Sequence, residues 1–267
     1  MRPNKHLLIP CIYLALASNA LADGRGDKLI SAYLDQTNRK NARITIQVKH
    51  VRANQPPILL AFTWMRRVQA KLTSHFIRME EPASEQGKLL LVHERPDGSS
   101  DYVAYRPKSA LSKKVRISGA RHYKYKSLRI SVQELIGGEL TKYTHHFMAS
   151  RTIGGVPCHL VENRLKREFK GKSDFSRSIL ALSADSMTMV QWELYDRFNR
   201  LAKKVVATET KVVDGIRTVM RASISSPQRN SHLLMKIKSI EYDPPFNPDL
   251  FRKETLPNHT ALSPSKR

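Results

Sequence analysis

The sequence has almost no cysteine: Cys11 and Cys158 are the only two in 267 residues. Cys11 falls in an N-terminal run read below as a removable leader. The mature chain therefore keeps one thiol, cannot form an internal disulfide, and must be held by an ordinary apolar core. Transmembrane stretches are missing too. Beyond the leader the longest apolar run is Ile58-Leu59-Leu60-Ala61-Phe62, far short of the ~20 residues a spanning helix needs. No Gly-x-Ser-x-Gly elbow, no complete phosphate-cradling Gly-x-x-x-x-Gly-Lys-Ser/Thr loop (Gly171-Lys172-Ser173 has Lys166 where the first glycine belongs) and no His-Glu-x-x-His helix occurs, so no catalytic residue is nominated. Histidine is plentiful, yet His145 and His146 are adjacent on an expected strand and point to opposite faces, as do Cys158 and His159. No metal site and no cofactor are expected. Glu80-Glu81, beside Pro82, reads as a solvated loop rather than an acid/base couple. The chain is not expected to be an enzyme.

The N-terminus carries export chemistry. Met1–His6 holds Arg2 and Lys5 and no acid, and Leu7–Ala17 is an uncharged apolar run, long enough for a signal-peptide core and too short to span. Ala20 and Ala22 then stand in the Ala-x-Ala arrangement of a cleavage site. Cleavage after Ala22 makes 1–22 a signal peptide and places the mature chain in the periplasm. Cys11 lies inside the apolar run rather than at the cleavage point, which disfavours lipidation. Residues 23–255 are expected to form one β domain and 256–267, ending in Lys266-Arg267, a flexible basic tail.

Acid is scarce relative to base: 23 Asp plus Glu against 46 Lys plus Arg, a net charge of +23 that falls to +21 once Arg2 and Lys5 leave. Such a balance attracts polyanions. Compartment disfavours nucleic acid and leaves anionic lipid head groups, lipopolysaccharide phosphates and wall polymers, set against the plainer alternative of a solvated basic surface.

What is present is mostly strand. Leu29, Ile30, Tyr33 and Leu34 make one stripe of a short amphipathic helix. From Ile44, Ile46 and Val48 onward the period changes to two. Further strand-like runs cover 60–66, 71–79, 88–94, 102–105, 114–117, 143–150, 158–163, 178–182, 188–195, 201–208, 216–224 and 233–242. Turn residues separate them, including Pro96-Asp97-Gly98, Gly154-Gly155, Asp196-Arg197-Phe198-Asn199 and Asp214-Gly215. A second helix is expected at Ser131–Gly138, with Ser131 and Glu134 spaced as a capping box. Close-spaced strands without intervening helices predict an antiparallel meander or barrel-like sheet.

Two features point to binding. Arg121, Lys124 and Lys126 interleave with Tyr123 and Tyr125, a ribbon suited either to docking head-group anions or to protecting an edge strand. Phe62, Trp64, Leu91, Tyr105 and Trp192 are large apolar residues on strands. They fit either a packed core or the lining of a hollow in a curved open sheet.

The order of motifs resembles the outer-membrane lipoprotein-sorting protein family, relatives of the periplasmic lipoprotein carrier. The carrying residues are Tyr102-Val-Ala-Tyr105-Arg-Pro107, Lys114-Val-Arg-Ile117-Ser, Ser131-Val-Gln-Glu134-Leu135, Gly154-Gly-Val-Pro-Cys158-His-Leu-Val-Glu162, Gln191-Trp-Glu-Leu-Tyr195-Asp, Asp214-Gly-Ile216, and Lys238-Ser-Ile240-Glu-Tyr242-Asp-Pro followed by Pro248-Asp-Leu-Phe251. The chain departs from the pattern where Ser127-Leu-Arg-Ile130 replaces the family's Gly-Ser-Asp-Phe. The resemblance implies an α+β, mainly antiparallel fold: an unclosed half-barrel of about eleven strands with helices covering its concave side, whose apolar interior takes acyl chains. The expected function is a non-catalytic periplasmic carrier of lipid or lipoprotein acyl chains, meeting an anionic membrane surface or lipopolysaccharide. An envelope adaptor pairing with an inner-membrane transporter is the alternative, and a secreted hydrolase of an anionic polymer is a third.

Overall fold

The computed structural model describes residues 24–37, 40–52, 55–97, 99–105, 115–116, 140–171 and 173–256. The expected signal peptide, the Ser131–Gly138 helix and the end of the tail lie outside these residues. Among these residues one α-helix, α1 (Arg25–Thr37), precedes thirteen strands. They are β1 (Ala42–Arg52), β2 (Gln55–Gln69), β3 (Leu72–Glu81), β4 (Leu89–Glu94), β5 (Ser100–Tyr105), β6 (Val115–Arg116), β7 (Tyr143–Ile153), β8 (Val156–Leu165), β9 (Arg177–Ser183), β10 (Met189–Tyr195), β11 (Leu201–Val213), β12 (Ile216–Ser226) and β13 (Ser231–Tyr242). Each expected run overlaps a strand, although of 114–117 only Val115–Arg116 are described. The resemblance implies about eleven strands; thirteen are described, one of them, β6, only two residues long.

All thirteen strands form one antiparallel sheet in the order β6-β5-β4-β3-β2-β1-β13-β12-β11-β10-β9-β8-β7. It consists of two meanders joined where β1 pairs with β13, with β6 and β7 as its two ends. Turn chemistry sets the hairpins. Gly154-Gly155 (φ +55° and +82°) and Asp214-Gly215 (φ +50° and +77°) put both central residues in the left-handed region, the backbone of a type I′ turn whose twist matches the strands it joins.

The sheet is strongly curved, and α1 shows it. Gly26 sits against the backbone of His145 on β7, where an added Cβ would lie 2.5 Å from the carbonyl oxygen. Seven residues on, Tyr33 interacts electrostatically with Arg66 of β2 and Tyr242 of β13. Seven helical residues advance only ~10 Å, whereas β7 and β2 are eight strand spacings apart, ~38 Å on a flat sheet. The sheet must bend around the helix, which makes the face under α1 the concave one.

Cross-strand register assigns the faces. Ile44, Ile46, Val48, Leu60, Phe62, Trp64, Ile77, Met79, Leu90 and Val92 share the concave face of β1–β4 as one buried cluster. Beneath α1, Ile30, Val161, Leu180 and Leu182 form a second, with Leu29, Tyr33, Leu34, Met189 and Trp192 packed against it. The third cluster lies on the outer face. Met65, Phe76, Leu89, Leu91, Val103 and Tyr105 are covered there by Phe246, Leu250, Phe251 and Leu256 from the chain after β13. Leu256, first residue of the expected tail, is fully buried. Glu80 and Glu81 end β3 instead of forming a loop. The Glu80 carboxylate accepts a hydrogen bond from Thr63 Oγ1 (2.5 Å) and pairs with Arg78 (3.3 Å), because β2–β3 pairing carries the strand up to Pro82.

Candidate functional site, the helix-covered face of the sheet

The concave face is apolar along most of its width. Alternation on the strands delivers mostly aliphatic and aromatic side chains to it, with His50 and the hydrogen-bonded group His145, Asn163 and Ser178 as polar exceptions, and α1 lays its apolar stripe over the β7–β10 half. Cys158 lies on the opposite face of β8. Its buried thiol donates to the Val156 carbonyl (3.2 Å), and burial pushes it above the ordinary thiol range, which makes it a small packing group.

One set of polar groups on the concave face gathers around β2 and β3. Trp64 donates its indole N–H to Nδ1 of His75 (3.1 Å), and His75 Nε2 lies 3.1 Å from Glu94 Oε2. His75 and Arg66 are 3% and 4% exposed. Arg66 donates through Nε to the Lys40 carbonyl (2.9 Å) and lies over the Trp64 ring. Burial lowers the Arg66 guanidinium to about 10 and pushes the neighbouring Tyr33 phenol up to about 12. Tyr242 reaches the same region and shares a 2.8 Å hydrogen bond with Thr218 Oγ1. A second polar group stands at the other end of the face. The Trp192 indole nitrogen is buried with no hydrogen-bond partner among the described residues.

The five apolar candidates therefore divide. Phe62, Trp64 and Trp192 are on the concave face. Leu91 and Tyr105 are on the outer face under Phe251 and Leu256, so the structure removes these two from the lining of the hollow. Both faces of β4 are apolar (Leu89-Leu90-Leu91-Val92, all buried), and period alone cannot separate them. The cation candidates Arg121, Lys124 and Lys126 lie outside the described residues. Arg66, His75, Glu94 and Tyr33 were not anticipated, yet a signal existed: Arg66 follows Phe62 and Trp64 in the same alternating register, as His75 precedes Ile77 and Met79.

Catalytic groupings were sought on the same strands. Ser150 Oγ and His159 Nδ1 are 3.0 Å apart, but among the described residues no carboxylate is hydrogen-bonded to His159 as a triad requires. Also among the described residues, no cluster of three His, Cys, Asp or Glu is placed to hold a metal ion, and no helix is long and apolar enough to cross a membrane.

Comparison with known proteins places this geometry. No curated protein matches the sequence. Among solved structures, a DUF1329 family protein from Desulfovibrio piger is 20% identical, with a TM-score of 0.77 over 86% of this chain and 97% of that one. A domain described as an outer membrane lipoprotein-sorting protein, from Vibrio parahaemolyticus, is 16% identical, TM-score 0.75, covering 86% and 97%. A LolA superfamily protein from Nitrosomonas europaea is 12% identical, TM-score 0.67, covering 86% and 98%. At these identities the likeness is one of fold, and it bears out the resemblance read from the motifs. A family model described as that of an uncharacterized protein matches residues 71–258, most of the chain. The chain belongs to that family, and its fold is the unclosed antiparallel half-barrel of the lipoprotein-sorting domains.

Proposed function

We propose that this chain is an exported, non-catalytic carrier that binds the acyl chains of lipids or lipoproteins between α1 and the concave face of the sheet. The observation that carries it is the face itself: a largely apolar surface on a curved sheet, whose β7–β10 half lies under α1. Burying a methylene contributes ~0.8 kcal/mol, so a chain of ~16 carbons gains on the order of 10 kcal/mol in leaving water. That is comparable to what α1 gains by burying Leu29, Ile30, Tyr33 and Leu34, at ~2 kcal/mol each. An acyl chain is therefore able to compete with the helix for the same surface. The unpaired Trp192 N–H supplies a donor for an ester carbonyl next to that chain, and Arg66 a buried positive charge at the far end. The fold of the lipoprotein-sorting domains supports the assignment, and the export signal read from residues 1–22 supports a periplasmic site of action.

The test is native mass spectrometry, with lipid identification, on the mature protein purified from a native-like envelope extract. Stoichiometric lipid or lipoprotein is expected. Trp192→Phe keeps the ring and removes the N–H, and should weaken ester-lipid binding about tenfold, the worth of one hydrogen bond to a buried donor. Recovery of ligand-free protein joined to one inner-membrane partner would replace the carrier with the adaptor.

A further inference from the structure

On the outer face of the sheet, opposite α1, lies a groove of about 260 Å³ lined by Gln47, Lys49, Thr208, Arg221, Ala222, Leu234, Met235 and Lys236. Register shows how its charges are arranged. Lys236 on β13 is paired directly with Arg221 on β12, and Lys49 on β1 is paired with Leu234, two residues along β13 from Lys236. Three cations thus stand within a directly opposed pair and one diagonal, and like charges so placed repel. Counter-charge is short. Glu209 contacts Arg221 (2.6 Å) but also Lys211 (3.6 Å). Among the described residues Lys49 and Lys236 have no acidic partner.

Apolar groups stand beside these cations with no cover. Leu59 and Leu234 are the two cross-strand neighbours of Lys49 and are 39% and 45% exposed; Val51, next along β1 on this face, is 39% exposed. Leucine flanking an unpaired lysine on both sides does not suit a free soluble anion, which would use the cations and leave the leucines in water. It suits a surface whose outer layer is anionic and whose next layer is apolar.

We propose that the outer face of β1, β13 and β12 docks on an anionic lipid bilayer. Lys49, Lys236 and Arg221 meet head-group phosphates, while Leu59, Leu234 and Val51 enter the interfacial layer. Docking here leaves the α1-covered face turned away from the membrane, so the proposal does not depend on what that face binds.

Flotation of the mature protein with phosphatidylcholine vesicles, made with and without phosphatidylglycerol, tests it. Wild-type protein should float only with the anionic vesicles, and less as salt rises. Lys49→Gln with Lys236→Gln should weaken flotation about thirtyfold, given the strength of a basic side chain near an anionic surface. Leu234→Ser should weaken it while leaving the salt dependence unchanged. All three positions reach solvent, and circular dichroism reports their folding. The charge-matched pair Arg151→Gln with Lys170→Gln, on the β7–β8 side, should float as wild type. Equal loss in both double variants would overturn the proposal in favour of net charge alone. Full release of wild-type protein by millimolar inorganic phosphate would overturn it in favour of a soluble-anion site. Failure of acyl binding at the concave face would leave these results unchanged.

Discussion

Trp64 and His75 are joined across β2 and β3 by a 3.1 Å hydrogen bond in which the indole N–H donates to Nδ1. That bond selects the tautomer: Nδ1 must accept, so Nε2 carries the proton toward Glu94 Oε2 at 3.1 Å. His75→Phe keeps the ring volume but strands two buried polar groups. Unfolding stability should fall by about 2–4 kcal/mol, read from the urea midpoint at unchanged slope. A loss below about 0.5 kcal/mol would show that the pair contributes little.

Gly26 fixes how closely α1 approaches the sheet. In Gly26→Ala the new methyl lies 2.5 Å from a backbone oxygen of β7, which cannot swing aside as a side-chain end would. The helix should lift, with faster amide exchange across α1 and a cost of about 1–3 kcal/mol. If α1 and acyl chains compete for one surface, the same variant should bind acyl probes more tightly. Unchanged exchange would mean that the helix re-seats without cost.

Leu91 and Leu180 separate the two faces. Each is 1% exposed or less, and truncation to alanine should cost about 2–5 kcal/mol for either. Acyl binding, measured well below the melting transition, should fall for Leu180→Ala and stay intact for Leu91→Ala. Loss in both would mean that the outer core and the hollow are mechanically coupled.

Asp196 gives an acid dependence of definite sign. Its carboxylate accepts hydrogen bonds from the backbone N–H groups of Phe198 and Arg200 and from the Arg200 side chain at 2.9–3.0 Å. These overcome partial burial and bring its pKa from 3.8 down to about 2. A folded pKa below the unfolded one means that the stabilisation is present above pH ~4 and disappears as the pH falls toward 2. Asp196→Asn should remove that part of the acid dependence, and carboxyl chemical shifts should titrate near 2 in the wild type.

The strands were legible in the sequence because alternation is a local property; β1 follows its period-two pattern, and β13 follows it on either side of a bulge between Ile237 and Ile240. The identity of the concave face was not. On β4 the run Leu89-Leu90-Leu91-Val92 is buried throughout, since α1 and its neighbours cover one side of the sheet and a segment more than 140 residues later in the chain covers the other. Which leucine faces which cover depends on contacts that no local pattern records. Arg66 and His75 were legible in principle, as polar residues sitting in an apolar register, but not their grouping with Glu94 and Tyr33, which comes from three strands and a helix.

The joining of the two meanders at β1 and β13 has a kinetic consequence. Every other strand pair links sequence neighbours, but here Arg43 meets Glu241 at 2.9 Å across a separation of 198 residues. Loop-closure entropy makes such a contact slow to form, so each meander should assemble from its own hairpins before the central seam closes. Loss of β13 would leave the two half-sheets without a shared ladder, so the strand that follows all the others in the described sheet is the one that makes them a single body.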